Sequence, residues 1–194
     1  MPITGSRPFP KLRSCYDKSL VFFGLLAVPC FEYWERFFVV KRGHMPIQEV
    51  SGDILESKAQ AIVIPVNCVG VMGKGLALQF KKTHPLTFDR YSKLCKAGMV
   101  RIGDVKTCHP GTESTYWKIL FPTKSHWRHP SKIEYIRSGL QDLSLKMGEL
   151  GLSSIAIPAL GCGLGGLDWA VVRPFIVETL DPWDHVTAFL YPPQ

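Results

Sequence analysis

The stretch "SSIAIPALGCGLGGLDW", residues 153–169, sets the architecture. Its first part, "SSIAIP", is a short apolar run with β-branched members, the pattern of a strand buried in a sheet. Its middle holds Gly161, Gly163, Gly165 and Gly166. Its end opens "DWAVVRPFIVETL", 168–180, which predicts a helix that Pro174 either kinks or delays. Strand, glycine loop and helix in that order form a unit of an α/β fold. Glycine is costly to order and gives a core no side chain, so four of them together need a reason.

The same order recurs upstream. "AIVIPVN", 61–67, reads as a strand buried on both faces, and "NCVGVMGKG", 67–75, as a second glycine loop. "GKGLALQFKKTH" then has helical spacing and ends before Pro85. "TFDRYSKLCKAG" predicts another helix, closed by Gly98. "STYWKILFPT" predicts a strand. "SKIEYIRSGLQDLSLKMGEL" predicts a long amphipathic helix with Ile133, Ile136, Leu140, Leu143 and Met147 on one face and Gly151 as its stop. "IQEVSGDIL" adds a strand ending at Gly52–Asp53, and "HVTAFLYP" a last strand. Strands alternating with helices predict a mostly parallel sheet covered on both faces.

Residues 1–44 break this pattern. Basic residues precede a short apolar run, Leu20 to Val28, but "CFEYWERFFVV" follows where a cleavage site would stand. An export signal, a packing extension and sequence upstream of the natural start are the three readings. Met45 opens "MPIQEVSGDIL" like a beginning, so the domain is expected over 45–194. No apolar stretch reaches the roughly 18 residues of a membrane span. The six cysteines show no CxxC spacing, which suggests neither a metal site nor a disulfide framework but reduced thiols of a cytoplasmic protein. The net charge of +7 suits an anionic partner, or simply a soluble surface.

In α/β sheets, ligands bind beyond the carboxyl ends of the strands. Both glycine loops have that position, and each leads toward a helix whose first N–H groups are free. Backbone donors at the positive end of a helix dipole make an anion site. Two such loops facing each other can hold a diphosphate. Neither is a Walker A loop, and neither matches the dinucleotide GxGxxG with its distant acid. Asp53 can accept a hydrogen bond from an exocyclic amine, or cap a turn. Asn67 can hold ribose hydroxyls, or form a turn. "FPTKSHWRHPS", 121–131, gathers Lys124, His126, Trp127, Arg128 and His129 in a loop fit for phosphates and bases. Its last residue, Ser131, and Glu134 three residues later have the spacing of a capping box.

Taken together, "GDIL", "NCVGVMGKGLALQF", "FPTKSHWR" and "IPALGCGLGGLDW" resemble the macrodomain family. More narrowly, they resemble the macrodomain of DNA ADP-ribosyl glycohydrolases of the DarG type, over about residues 46–192. The resemblance implies a three-layer α/β/α sandwich with a mixed, mostly parallel sheet and an ADP-ribose cleft at its crest. It implies Asp53 at the adenine, Ile54 lining the adenine pocket and Asn67 at the distal ribose. Gly73, Lys74 and Gly75 would line one side of the diphosphate path. Gly161, Cys162, Gly163, Leu164, Gly165 and Gly166 would clasp it from the other. Lys124 falls where this subfamily carries a catalytic lysine, with Asn67 beside the reacting ribose. His126, Trp127 and Arg128 would touch nucleic acid. The similar terminal ADP-ribose protein glycohydrolase has an acid in its second loop; here that place is Gly165, and Asp168 stands three residues on, where it can cap a helix.

The implied reaction removes ADP-ribose from thymidine in DNA, without metal or cofactor. The implied partners are ADP-ribosylated DNA and a cognate DNA ADP-ribosyltransferase toxin, and a monomer is expected. DarG-type sequences continue into a toxin-binding region, whereas this chain ends at Gln194. The rival readings are a hydrolase of ADP-ribosyl esters, on protein or on O-acetyl-ADP-ribose, and a module that binds ADP-ribose without cleaving it. Cys162 lacks an evident histidine partner and is read as a small residue in a tight loop.

Overall fold

A computed structural model describes residues 47–193. The readings of residues 1–44 and of a start at Met45 lie outside them. Among the described residues, six strands form one sheet in the order β1-β6-β5-β2-β4-β3. The strands are β1 (Ile47–Glu49), β2 (Ala61–Asn67), β3 (Lys106–Cys108), β4 (Trp117–Lys124), β5 (Ser154–Pro158) and β6 (Thr187–Tyr191). Every pairing is parallel except β3 with β4, which is antiparallel. The sheet is therefore mixed and mostly parallel.

Alternation along the central strands splits their apolar side chains between two cores. Val63, Phe121, Ile155 and Ile157 face helices α3 (Ile133–Leu150) and α4 (Trp169–Leu180), meeting Ile136, Leu140, Leu143, Met147, Val172 and Ile176. Ile62, Ile64, Val66 and Leu120 face the other way, toward Phe80 of α1 (Gly75–Thr83) and Tyr91 of α2 (Pro85–Lys96). Each fully buried aliphatic or aromatic chain is worth about 1.5–3 kcal/mol over exposure. The result is the expected three-layer α/β/α sandwich. Gly139, in mid-helix α3, costs about 1 kcal/mol against alanine. A Cβ there would collide with the Phe121 ring, so the glycine lets the helix approach the sheet.

Several local expectations change. The first strand ends at Glu49, and Ile54–Glu56 is a 3-10 turn capped by Asp53, whose Oδ1 accepts from Leu55 N at 2.9 Å. Asp53 thus follows a loop rather than a strand, because Gly52, at φ +114°, turns the chain away from the sheet. Strand β3, of three residues, is too short to show a period in the sequence. Ser131 does not cap α3: Lys132 holds that position with no side-chain cap, and the Ser131 side chain turns inward against Gly161 and Gly165. Asp168 does cap α4, its Oδ1 accepting from Ala170 N at 2.9 Å. Pro174 lies inside α4 without ending it.

Candidate functional site

The ends of β2 and β4 carry the first part of the site. Their register is regular up to Val66 opposite Pro122, then slips so that Asn67 stands opposite Lys124. Such a bulge re-aims side chains at a strand end. Asn67 is buried, and its amide works inside the following loop. Oδ1 accepts from Val69 N at 3.1 Å and Val71 N at 3.3 Å, while Nδ2 donates to Val71 O at 2.6 Å. This is the side-chain turn that asparagine favours. One Nδ2 hydrogen remains for other use.

The two glycine loops face each other. In the first, Gly73 and Lys74 are exposed. Gly75, at φ +55°, opens α1, whose N-cap Lys74 supplies no side-chain cap. In the second, a 3-10 turn spans Gly163–Gly165. Leu164, at its tip, is 68 % exposed and thus rides over open space. Its Cδ1 would lie 3.9 Å from a Cβ on Gly75, so the loops approach within van der Waals reach.

The four glycines of the second loop have different reasons. A Cβ on Gly161 would come within 2.8 Å of Leu167 Cδ1 and 3.1 Å of both Ile136 Cδ1 and Ser131 Cβ. One on Gly165 would lie 2.5 Å from Ser131 Oγ. These two glycines serve packing beneath the loop. Gly166 ends the 3-10 turn at φ +82°, a backbone that L side chains resist. Gly163 alone has neither a positive φ nor an atom within 4 Å of its Cβ position. It is the position that leaves the cleft open. Cys162 is buried, with Sγ directed at Leu160 O, and burial pushes its thiol pKa up. That is the environment of an inert thiol.

An open cleft of about 580 Å³ runs between this loop and the segment after β4. Lys74, Lys124, Trp127, Arg128, His129 and the loop Gly163–Gly166 line it. Lys124 Nζ donates to Leu164 O at 2.5 Å, which holds its amine at the mouth of the glycine loop. Arg128 lies over the Trp127 ring, 4.6 Å from its centroid, and the His126 ring stacks with Trp127 at 5.5 Å. Trp127 nevertheless stays 45 % exposed, which leaves aromatic surface for a further ring. No carboxylate lines the cleft among the described residues. The sterics at Gly165 exclude one there, and Asp168 is committed to its helix cap.

The structure thus brings together Lys74, Lys124, Trp127, Arg128, Gly163, Leu164, Gly165 and Gly166. It places Gly161 and Cys162 beneath the loop and Asn67 at its own loop's root. Asp53 is exposed and Ile54 buried in the core facing α1 and α2, neither of them lining this cleft. His129, of the same basic and aromatic loop, lines it too, and Pro130 beside it carries no signal of its own in the sequence.

Residues 63–176 match the family model described as Macro domain. A DNA ADP-ribosyl glycohydrolase of Mycobacterium tuberculosis is 48% identical over 145 residues, 74% of this chain and 41% of the relative. The chain therefore spans about two fifths of the length of the curated relatives it matches. Among solved structures, the macrodomain of Mycobacterium tuberculosis DarG superposes with a TM-score of 0.75 at 46% identity, covering 77% of this chain and 99% of the other. Thermosipho africanus DarTG in complex with ADP-ribose superposes with a TM-score of 0.70 at 34% identity, covering 78% of this chain and 42% of the other. With the sheet order, the paired loops and the cleft between them, these likenesses leave one conclusion: the chain belongs to the macrodomain family.

Proposed function

We propose that the domain binds ADP-ribose in the Lys124 cleft and hydrolyses the N-glycosidic bond joining it to a thymine base of DNA. The observation that carries this reading is the place of Lys124. Its amine stands between the second glycine loop and an exposed Trp127–Arg128 pair. The loops offer backbone donors and open space for a diphosphate. The aromatic and cationic rim fits the bases and phosphates of a single strand. Relatives named DNA ADP-ribosyl glycohydrolase, and a DarTG solved with ADP-ribose, support the same ligand.

In this reading Asp53 accepts from the adenine amine and Ile54 backs the adenine pocket. Asn67 uses its remaining amide hydrogen at the distal ribose. Gly73, Lys74 and Gly75 pass along the diphosphate opposite Gly163–Gly166, while Gly161 and Cys162 support that loop from below. His126, Trp127 and Arg128 hold the DNA. The partner is the transferase that lays down the modification, and the domain works as a monomer in the cytoplasm.

Bond cleavage leaves the ribose carbon electron-poor and the departing base electron-rich. As a neutral amine, Lys124 attacks the anomeric carbon. The C–N bond to the base breaks, the base leaves with the electron pair and gains a proton, and water then hydrolyses the lysine adduct. As an ammonium, it instead stabilises the departing base while water adds to the anomeric carbon, the C–N bond breaks and the water's proton passes to the base. One observation favours a second reading, binding without cleavage: no carboxylate stands beside Lys124 among the residues lining the cleft.

The test is to incubate the full chain with thymidine-ADP-ribosylated single-stranded DNA, with an ADP-ribosylated protein and with O-acetyl-ADP-ribose. Release of ADP-ribose from the DNA is the expected result. Release only from the esters makes the protein an ester hydrolase, and binding without release makes it a reader.

A further inference from the structure

Asn67 is the hinge of the first glycine loop, and its backbone sits where the β2–β4 register slips. Tyr91, on the inner face of α2, serves that point. Its hydroxyl donates to Asn67 O at 2.6 Å and accepts from Asn67 N–H at 3.3 Å. Asn67 Oδ1 lies at 3.3 Å from the same hydroxyl. The ring is fully buried, and burial pushes the phenol's pKa far above its ordinary value, so its proton stays available to the carbonyl. A buried bulge leaves backbone groups that need partners, and one phenol supplies both a donor and an acceptor to the same residue.

The contact continues outward. Asn67 holds Val69 and Val71 through its amide. Between them Gly70, at φ +82°, lets the loop settle on α2: a Cβ there would lie 3.3 Å from Cys95 Cβ and 3.4 Å from Ser92 Cα. Lys124 has a separate tether, to Leu164 O. The loop that leads to Gly73–Gly75 therefore rests directly on Tyr91, whereas the Lys124 amine is held from the second loop, although its backbone O accepts from Cys68 N at 3.1 Å beside the same slip.

We propose that Tyr91 is a positioning residue that fixes the first glycine loop for ligand binding, acting through the backbone and amide of Asn67. The proposal rests on the reading of the cleft as an ADP-ribose site. It predicts a defect in binding rather than in the chemical step.

Tyr91→Phe in the full chain keeps the buried ring and removes only the hydroxyl. Its expected effect is about tenfold weaker ADP-ribose binding and a matching rise in KM, with kcat within about threefold of wild type. Hydrogen exchange at the Val69 and Val71 amides should quicken about tenfold, while that of Val63 in mid-strand stays unchanged. Thr87→Val is the control. It removes a hydroxyl that donates to Glu113 Oε2 at 2.6 Å one turn before Tyr91 in the same helix, so it perturbs α2 without touching Asn67. Its Kd and loop exchange should stay at wild-type values. Wild-type exchange at Val69 and Val71 in Tyr91→Phe overturns the proposal, as does an equal Kd change in Thr87→Val. Should wild type itself fail to bind ADP-ribose, the reading of the cleft falls, and the exchange rates still decide what Tyr91 holds.

Discussion

Gly165→Ala puts the packing account of the second loop to a quantitative test. The added Cβ would lie 2.5 Å from Ser131 Oγ and 3.1 Å from Ser131 Cβ. Neither atom is the end of a long flexible chain, and Ser131 N–H is itself tied to Gly165 O at 2.9 Å. Loop and helix start must move apart, an overpacking cost of about 1–3 kcal/mol. For a domain of this size that lowers Tm by about 2–4 °C per kcal/mol. Gly163→Ala, two residues away, meets no atom within 4 Å and should leave Tm unchanged. Ser131→Ala removes the closer of the two clashing atoms. The pair Gly165→Ala with Ser131→Ala should therefore recover most of the loss, a coupling that a double-mutant cycle reads directly. Thermal unfolding followed by circular dichroism supplies all four values. Equal Tm for the two glycine variants, or additive losses in the double variant, would refute the reasoning.

Three further outcomes follow from the local chemistry. Asp168→Ala loses a helix cap, so it should cost about 0.5–2 kcal/mol in urea unfolding while turnover per folded molecule holds; a collapse of turnover would instead make Asp168 the missing acid. Cys162→Ala should keep turnover within a factor of about two, and the native thiol should resist alkylation because burial raises its pKa; a hundredfold loss of turnover, on the scale of a removed nucleophile, would restore a thiol mechanism. Burial holds the His84 imidazole below its ordinary value of 6.5, with its ring stacked on Phe80 and Nε2 at 2.9 Å from Tyr116 OH. The unfolded chain then binds the proton more readily, so this contribution is present above about pH 6.5 and is lost as pH falls through the depressed folded value. His84→Gln should flatten that part of the stability–pH curve, and an unchanged slope contradicts the assignment.

Elements with a strong period or an unbroken apolar run were legible from the residues: β2, β4, β5 and the long α3 stand where the pattern put them. β3 was not, since three residues at an antiparallel edge carry no period. Ser131 with glutamate three residues later fits a capping box in sequence, and only the approach of Gly161 and Gly165 turns its side chain inward. The glycines show the same limit. Sequence marks them as a loop poised for close approach, but tertiary neighbours decide which serve packing and which leave the cleft open. Lys124 was placed by resemblance, whereas its tether to Leu164 depends on a loop 40 residues away. Nothing in the sequence marks Tyr91, because its partner is a backbone defect that no side-chain pattern records.

Turnover of thymidine-ADP-ribosylated single-stranded DNA by Lys124→Ala tests the central claim most directly. If Lys124 acts mainly in the transition state, the variant loses a factor of about a hundred or more, about 3 kcal/mol, while ADP-ribose affinity changes little. Lys124→Arg, measured beside it, fails as well if a neutral amine is required, since guanidinium stays protonated in proteins. It retains activity if charge alone suffices. Near-normal turnover by Lys124→Ala contradicts the account and removes the lysine from the chemistry.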